Sequence, residues 1–494
     1  MTANRDINIA RHFAQLANRK PDHAAIIAAD ITLSYSKLWR IVRGFATRMQ
    51  DIGITREAVV AIHSDDMIAC LASMMATSLL GARFVSFDKL LLDHGPIVPT
   101  HFLRSPDAQP HPGVSYHMVD SGWPQAARPN PVSDGSEFEG HSNADDPWWL
   151  VHTSGTTGAP KYLCLSQRDV YLRSQAVKAD FKAFETRFCC LFPCNSRPFL
   201  ARANAALINA SSIVDSVDVD FMRSAGVNSL YGAPRTTKEW LGTRRISPKM
   251  PLLQVGGAKL SDADAKMLLE SFEQVEEIYG ASETNKSFVN VKSLVNGQLN
   301  TTGKPLDSEV QIIAADGSAI TAIGSQGAVR VRNSYLASHY IGDARATEKA
   351  FRGGWFYPGD RACWGPSREL VISGRVDEII NLGGVKVDPT AIDETLCSVE
   401  GIAEAVVFRD PTEPTPPRLV AMVTLGEPAN VDQCVAAAHL ACKERFGEII
   451  APRYIIVVEQ IPITLDGLPR RAECERLAKF YLEKNHPSNV IQAK

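Results

Sequence analysis

The first part of the chain alternates between helical and strand-like patterns of apolar residues. Apolar side chains recur at helical spacing over 35–53, which predicts a helix that ends at Gly53. The apolar run 59–63 predicts a strand, 65–81 predicts a second helix, and 83–87 predicts another strand. This alternation of strand and helix predicts an α/β fold built in layers.

Two changes of character divide the rest of the chain. Pro, Ser, Asp, Asn and His dominate 103–147, which predicts surface loop with little regular structure. A second change near 374 precedes a compact alternation of strands and helices, typical of a small α+β domain. We therefore predict a large N-terminal domain of layered α/β subdomains over 1–374, and a small mobile α+β domain over 375–494.

Composition supports a multidomain globular protein. A chain of 494 residues exceeds what one hydrophobic core usually supports, and 45% apolar with 22% charged residues is an ordinary globular mixture. The net charge of -3 predicts no attraction to nucleic acid or anionic membranes. The ten cysteines are scattered without a CxxC pair, and we see neither a signal peptide nor a membrane-spanning run. These features predict a cytoplasmic protein.

The clearest chemical motif is the string TSGTTGAPK over 153–161, which follows a strand-like apolar run. Its glycines let backbone N–H groups turn inward, its hydroxyls donate hydrogen bonds, and its lysine adds a positive charge. The spacing is not that of a Walker loop. A shorter Ser/Thr/Gly triplet would be an ordinary turn, but the whole string favours polyphosphate binding. Its candidate ATP-binding residues are Thr153, Ser154, Gly155, Thr156, Thr157, Gly158 and Lys161.

This string resembles the signature loop of the adenylate-forming superfamily, which contains acyl-CoA synthetases, adenylation domains of nonribosomal peptide synthetases and beetle luciferases. The later motifs follow in the same order over nearly the whole chain. The resemblance implies ATP-dependent activation of a small-molecule carboxylic acid as acyl-AMP. Transfer to a thiol would follow, from CoA or from the phosphopantetheine of an acyl carrier protein. Lys161 and Thr157 would take part in catalysis.

Two further strings resemble motifs that contact the nucleotide. The segment 254–258 (QVGGA) resembles the motif that lies against adenine and the acyl group. The segment 279–284 (YGASET) resembles the motif whose tyrosine lies against adenine and whose glutamate, here Glu283, is a catalytic magnesium ligand. The implied ATP-binding residues are Gly256, Gly257, Ala258, Tyr279, Gly280, Ala281 and Ser282.

Three strings near the predicted domain boundary resemble the remaining motifs. In 354–360 (GWFYPGD) the resemblance makes Asp360 a ribose ligand, and in 373–378 (SGRVDE) it makes Arg375 a catalytic ligand of ribose or phosphate. It places Asp377 at the hinge of the small domain, and it places Gly383 and Gly384 along the pantetheine tunnel.

The acyl pocket is implied only by resemblance of position. Its predicted wall contains no cation, which favours an aryl or simple acyl substrate. The wall residues are Ser196, Tyr231, Gly232, Gly256 and Ala281.

The chain departs from the family where a lysine is expected. The terminal GKxxR-type motif appears as 462–471 (PITLDGLPRR), in which Gly467 and Arg471 agree and Leu468 occupies the lysine position. A preorganised cation there would stabilise the adenylation transition state. We therefore expect an AMP-forming acid–thiol ligase, and keep open an amide-forming relative and a degenerate member with impaired adenylation. A homodimer also stays open.

Overall fold

The computed structural model describes residues 7–86, 96–126, 134–141, 143–153, 161–426, 430–463, 469–483 and 490–492. The chain divides into two compact units. The first unit is formed by the described parts of Met1–Thr153, Pro160–Val310 and Val331–Phe356. The second contains Gln311–Arg330 and the described chain from Tyr357 onward.

The elements up to Pro305 belong to the first unit. They are α1 (Ile9–Arg19), β1 (Ala24–Ala28), β2 (Thr32–Ser34), α2 (Tyr35–Asp51), β3 (Val59–His63), α3 (Met67–Leu80), β4 (Arg83–Ser86), β5 (His101–Arg104), β6 (His117–Met118), β7 (Pro147–Thr153), β8 (Lys161–Ser166), α4 (Gln167–Ala176), a 3₁₀ helix (Lys178–Asp180), β9 (Arg187–Cys190), α5 (Arg197–Ile208), β10 (Ser212–Asp215), α6 (Val219–Ser224), β11 (Ser229–Gly232), α7 (Pro234–Leu241), β12 (Met250–Gly256), α8 (Asp262–Leu268), β13 (Phe272–Ala281), β14 (Asn285–Val295) and β15 (Gln298–Pro305).

The remaining elements begin with two strands that contain residues of both units. From Glu309 on they are β16 (Glu309–Ile313), β17 (Gly327–Arg332), α9 (Ala344–Ala350), β18 (Phe351–Arg352), β19 (Trp355–Phe356), β20 (Asp360–Trp364), β21 (Leu370–Arg375), β22 (Ile380–Leu382), β23 (Val385–Val387), α10 (Pro389–Cys397), β24 (Ile402–Arg409), β25 (Leu419–Leu425), α11 (Val431–Phe446), β26 (Tyr454–Val457), α12 (Arg471–Glu483) and β27 (Val490–Gln492).

Two large sheets organise the first unit. One has nine strands in the order β15-β14-β13-β12-β11-β9-β10-β1-β2, and the other has six in the order β6-β5-β3-β4-β7-β8. In the larger sheet, β9, β11, β12 and β13 run parallel to one another, so their carboxyl ends share one edge. Ligands of open α/β sheets bind at such an edge, which makes it the place to look for a site.

Local sequence signals account for the helices that separate these sheets. Helix α2 begins where the Ser34 side chain accepts a hydrogen bond from Lys37 N–H at 3.3 Å. Helix α3 begins at an Asp66 cap and ends at Gly81, whose left-handed φ of 71° suits glycine. The predicted helices over 35–53 and 65–81 and the strands over 59–63 and 83–87 are therefore confirmed, with boundaries shifted by one or two residues.

The described part of 103–147 is tightly packed although it has little regular structure. Trp123 is buried, and its ring lies 5.3 Å from that of Phe45 on α2. A Cβ on Gly44 would lie 2.4 Å from the Trp123 carbonyl oxygen, so only glycine permits this approach. The predicted surface loop is thus a covering layer over α2.

The second unit has its own core. The sheet β24-β25-β26-β27 carries one apolar cluster that includes Ile392 of α10 and Val435 of α11, and another that includes Cys474 and Ala478 of α12. The predicted fold class, a large layered α/β part with a smaller α+β C-terminal part, is confirmed. The boundary at 374/375 stays a prediction. In the described ranges, no helix has the length and apolar character needed to span a membrane.

Candidate active site

The predicted phosphate-binding string begins and ends at paired strand residues. Thr153 at the end of β7 lies opposite Lys161 at the start of β8 in an antiparallel pair. The intervening candidates Ser154, Gly155, Thr156, Thr157 and Gly158 lie outside the described residues. The Lys161 Nζ lies 5.1 Å from the centroid of the Tyr340 ring, a cation–π geometry.

The adenine-motif residues end β13 and enter a turn. Tyr279, Gly280 and Ala281 are the last residues of β13, and Ser282 and Glu283 follow before β14. A Cβ on Gly280 would lie 2.1 Å from the Asn285 carbonyl oxygen, so the close return of the chain requires glycine.

The structure brings two of the predicted catalytic residues to one side chain. Glu283 is only 5% exposed, and the Tyr340 hydroxyl donates a hydrogen bond of 2.6 Å to its Oε1. Since Lys161 contacts the ring of the same tyrosine, Tyr340 contacts both the predicted phosphate ligand and the predicted metal ligand. Both residues are described, and no ion pair joins Lys161 to Glu283 within the described chain.

Tyr340 was not predicted to belong to the site. It lies 57 residues beyond Glu283 and outside every string singled out from the sequence. It also borders an open cavity of about 570 Å³. The other residues that line this cavity are His339, Gly342, Asp343, Ala344, Thr347 and Glu348.

A buried arginine holds the backbone of the same turn. Arg173 on α4 donates to the carbonyl oxygens of Ser282 at 2.7 Å, Glu283 at 2.8 Å and Tyr335 at 3.0 Å. Burial lowers the pKa of Arg173 to about 10, which leaves it protonated at neutral pH. The charge therefore strengthens the three hydrogen bonds that Arg173 donates to these carbonyls.

The predicted acyl-pocket residues gather at the carboxyl edge of the larger sheet. Tyr231 is the penultimate residue of β11, Gly256 ends β12 and Ala281 ends β13, and these three are adjacent parallel strands. The Tyr231 hydroxyl lies 3.2 Å from where a Cβ on Gly256 would be. Ser196 caps α5, and the next residue, Arg197, donates to the Ala281 carbonyl at 3.4 Å.

Two other predicted glycines, Gly232 and Gly257, lie at the same edge of the sheet. A Cβ on Gly232 would lie 2.6 Å from Thr237 Oγ1, so the end of β11 is closely covered by α7. Gly257 follows β12 with a left-handed φ of 93° and is exposed, and Ala258 is half-buried beside it.

A cation that is not among the predicted wall residues lies beside Tyr231. The Arg202 guanidinium lies 5.6 Å from the centroid of the Tyr231 ring. Arg202 donates to Asp180 Oδ2 at 2.8 Å and to the Gln254 side chain. Lys286 Nζ lies 2.9 Å from the same Asp180 oxygen. Burial opposes ionisation of Asp180, but the two cations prevail and lower its pKa to about 2.

The second unit holds the predicted ribose and hinge residues together. Arg375 Nη1 lies 3.3 Å from Asp360 Oδ1, and its Nε donates to Asp377 Oδ1 at 3.0 Å. Burial disfavours the charged guanidinium, but the hydrogen bond to Asp377 and the Asp360 charge raise the pKa of Arg375 above its usual value. Arg375 therefore pairs with both Asp360, the other predicted ribose ligand, and Asp377, the predicted hinge residue.

The predicted tunnel glycines form a two-residue turn between β22 and β23. Gly383 and Gly384 have φ values of 65° and 106°, which favour glycine, and both are exposed. Gly384 N–H donates to the Asn381 side chain at 2.8 Å, which closes the turn.

The described end of the terminal motif is anchored within the second unit. Gly467 and Leu468 lie outside the described residues. Arg471 donates to Glu378 at 3.2 Å and to the Val407 carbonyl at 2.6 Å, and it also pairs with Asp393.

Glu283 is a single carboxylate, which suits a metal ion that is bound mainly by the phosphate oxygens of a substrate. No cluster of three or more His, Cys, Asp or Glu side chains capable of holding a metal occurs in the described ranges. Mg²⁺ is commonly bound through one or two carboxylates together with phosphate oxygens and water. Glu283, which uses Oε1 for the Tyr340 hydrogen bond, fits such a role.

Comparisons with known proteins agree with this arrangement. Residues 13–95 and 97–341 match the AMP-binding enzyme family, and 391–467 match the AMP-binding enzyme C-terminal domain. The chain is 25% identical to the fatty acid–[acyl-carrier-protein] ligase MmaC of Mycobacterium marinum, over 93% of this chain and 95% of MmaC. It is 21% identical to bacitracin synthase 2 of Bacillus licheniformis over 92% of this chain, but it spans only 18% of that protein.

A solved structure shares the fold. The o-succinylbenzoate CoA synthetase of Bacillus subtilis, in complex with its acyl-adenylate intermediate, matches with a TM-score of 0.79 at 20% identity. The match covers 96% of this chain and 99% of that one. Since the family matches extend over most of the chain and both of its characteristic domains are present, this protein belongs to the adenylate-forming superfamily of AMP-binding enzymes.

Proposed function

We propose that this protein activates a carboxylic acid with ATP as an acyl-AMP and then transfers the acyl group to a thiol. The observation that supports this most is the meeting of Lys161 and Glu283 at Tyr340. Lys161, the proposed phosphate-binding cation, begins β8, and Glu283, the proposed metal-binding carboxylate, follows β13. Family membership supports the same chemistry.

The proposed reaction has two steps. A carboxylate oxygen of the acid attacks the α-phosphorus of ATP, and pyrophosphate leaves. The thiolate sulfur of CoA or phosphopantetheine then attacks the acyl carbon, and AMP leaves. A Mg²⁺ ion held through Glu283 would neutralise charge on the phosphate oxygens. Lys161 would bind the phosphates, and together with Thr157 it would stabilise charge that develops on them.

The other predicted residues take roles that remain proposals. Asp360 and Arg375 would bind the ribose, which requires their present ion pair to open or to turn. Asp377 would act as the hinge between the two steps, and Gly383 and Gly384 would border the pantetheine path. The adenine would lie near Tyr279, at the edge that also carries the proposed acyl pocket.

ATP–pyrophosphate exchange tests the proposal directly. A panel of aromatic, fatty and small acids is offered with ATP and Mg²⁺, and we expect exchange with at least one acid. Lys161→Met should lower that exchange by about a hundredfold or more, because it removes a cation that stabilises developing charge. Lys259→Met, which removes an exposed lysine beside the adenine motif, is the matched control. Nucleotide binding without exchange for any acid would contradict the proposal.

The second substrate needs its own measurement. With the best acid, product mass spectra in the presence of CoA, of a pantetheinylated carrier protein and of simple amines separate the alternatives. Thioester formation supports the thiol ligase, and amide formation supports the acid–amine ligase. A chain that binds nucleotide but forms no acyl-AMP would be the degenerate relative.

The class of the substrate acid and the cellular compartment are also proposals. Since Arg202 is already neutralised by Asp180, we still favour an uncharged aryl or simple acyl group over an acid with a second carboxylate. The scattered cysteines support a reducing, cytoplasmic compartment. A homodimer stays open.

A further inference from the structure

We propose that Tyr340 is a positioning residue that keeps the charges of Lys161 and Glu283 apart and directs each toward the nucleotide. This inference rests on the proposed function, because it assigns to Tyr340 the alignment of a phosphate ligand and a metal ligand. No string of the sequence marks Tyr340 for this role, and its contacts with Lys161 and Glu283 define it.

The first contact concerns Glu283. This carboxylate is buried, and its side chain accepts a hydrogen bond from the Tyr340 hydroxyl. The bond engages Oε1, so it fixes the orientation of the carboxylate while leaving Oε2 for a cation. Partners that orient a metal ligand in this way commonly change metal affinity by about ten- to a hundredfold when they are removed.

The second contact concerns Lys161. Its ammonium lies over the Tyr340 ring, which attracts a cation without neutralising it. A direct ion pair between Lys161 and Glu283 would satisfy both charges internally and weaken their attraction for phosphate and metal. The aromatic ring occupies the place between them and so prevents that pair.

Tyr340 is itself firmly held. It is 4% exposed, its ring packs 5.3 Å from that of Phe351, and its backbone N–H donates to Thr347 Oγ1 at 3.0 Å. A side chain with these contacts has little freedom to leave the position between the two charges. The ring and the hydroxyl can therefore be tested separately by substitution.

The test separates these two functions. Mn²⁺ binding is measured by electron paramagnetic resonance with α,β-methylene-ATP, and binding of that analogue without metal is measured by calorimetry. Tyr340→Phe should weaken Mn²⁺ binding by about tenfold or more. It should leave metal-free analogue binding unchanged, because the ring under Lys161 remains. Tyr340→Leu should weaken metal-free binding as well, by about threefold.

Tyr335→Phe is the matched control. It removes another buried tyrosine hydroxyl from the same segment, one that donates to the Asp307 carbonyl at 2.9 Å. A general loss of stability would affect both Tyr→Phe variants, whereas the positioning role predicts that only Tyr340→Phe changes Mn²⁺ binding. Unchanged Mn²⁺ binding in Tyr340→Phe would overturn the inference.

A double-substitution cycle separates the loss of this hydroxyl from a general loss of stability. In a Glu283→Gln background, Tyr340→Phe should produce no further loss of Mn²⁺ binding, because the hydroxyl acts through that carboxylate. An additive loss would overturn the inference. Absence of analogue and metal binding in the unsubstituted protein would contradict the proposed function instead, so the two failures are distinguishable.

Discussion

At the scale of single residues, the site combines ligands that the motifs name with partners that they do not. Lys161 and Glu283 come from recognisable strings, whereas Tyr340 and Arg173 come from segments without such a mark. Residue type and local spacing predict which side chain can bind phosphate or metal. They do not predict which distant side chain orients it, because that depends on how the sheets pack.

Substitution of Leu468 tests how one side chain affects the rate of adenylation. Leu468→Lys should raise acid-dependent ATP–pyrophosphate exchange by about a hundredfold, because it restores a cation to the place where adenylation gathers negative charge. The measurement is kcat for exchange with the best acid of the panel. Leu468→Met, which keeps an apolar side chain of similar volume, is the control. No change in kcat would indicate that another group, such as Arg470, already supplies the charge.

At the scale of elements, a network of buried charges joins the layers behind the acyl-pocket edge. Asp180 of the 3₁₀ helix contacts Arg202 of α5 and Lys286 of β14, and Gln254 of β12 links Arg202 to Glu276 of β13. The alternation of helix and strand near the start of the chain predicted a layered fold, but it did not predict these particular elements. Which polar residues meet between the layers depends on strand order in the nine-stranded sheet, which a single sequence does not specify.

The pH dependence of stability tests this network. The pKa of Asp180 falls from 3.8 to about 2 on folding, so its ionised form contributes about 2 kcal/mol to the free energy of unfolding at neutral pH. That contribution is present above pH 4 and is lost as the pH falls toward 2. Urea titrations should therefore find Asp180→Asn less stable than the unsubstituted protein at pH 7, with the difference shrinking by pH 3.

A surface substitution provides the comparison. Asp262 pairs with Lys292 at 3.2 Å, but its side chain is 77% exposed. Asp262→Asn should therefore change stability at pH 7 by less than about 1 kcal/mol. A difference between Asp180→Asn and the unsubstituted protein that stays constant from pH 7 to pH 3 would contradict the role given to Asp180.

At the scale of the whole molecule, the C-terminal region has the attributes of an independent domain. Its two apolar clusters use residues between Leu382 and Ala478, on both faces of one sheet. Arg471 ties the start of α12 to Glu378 and to β24 through the Val407 carbonyl. The change of pattern near 374 predicted such a domain from composition and periodicity alone.

Expression of 375–494 as a separate fragment tests the predicted boundary. We expect a single cooperative thermal transition, because the fragment contains the complete core of the described sheet. Within it, Arg471→Met should lower stability by about 3 kcal/mol or more, since it leaves buried carboxylates without their cation. Circular dichroism and amide exchange are suitable measurements. If only the longer fragment 357–494 folds, the boundary at 374/375 is wrong.

The sequence by itself determined the layered α/β class, the helices and strands predicted over 35–87, and the residue types of the predicted phosphate, adenine and ribose motifs. These depend on periodicity, capping residues and turn glycines, all of which act over a few neighbouring positions. Only the tertiary structure decided that Tyr340 meets both Lys161 and Glu283, and that Arg202 lies beside Tyr231. Those contacts join residues far apart in the chain, so they follow from strand order and packing and not from local spacing.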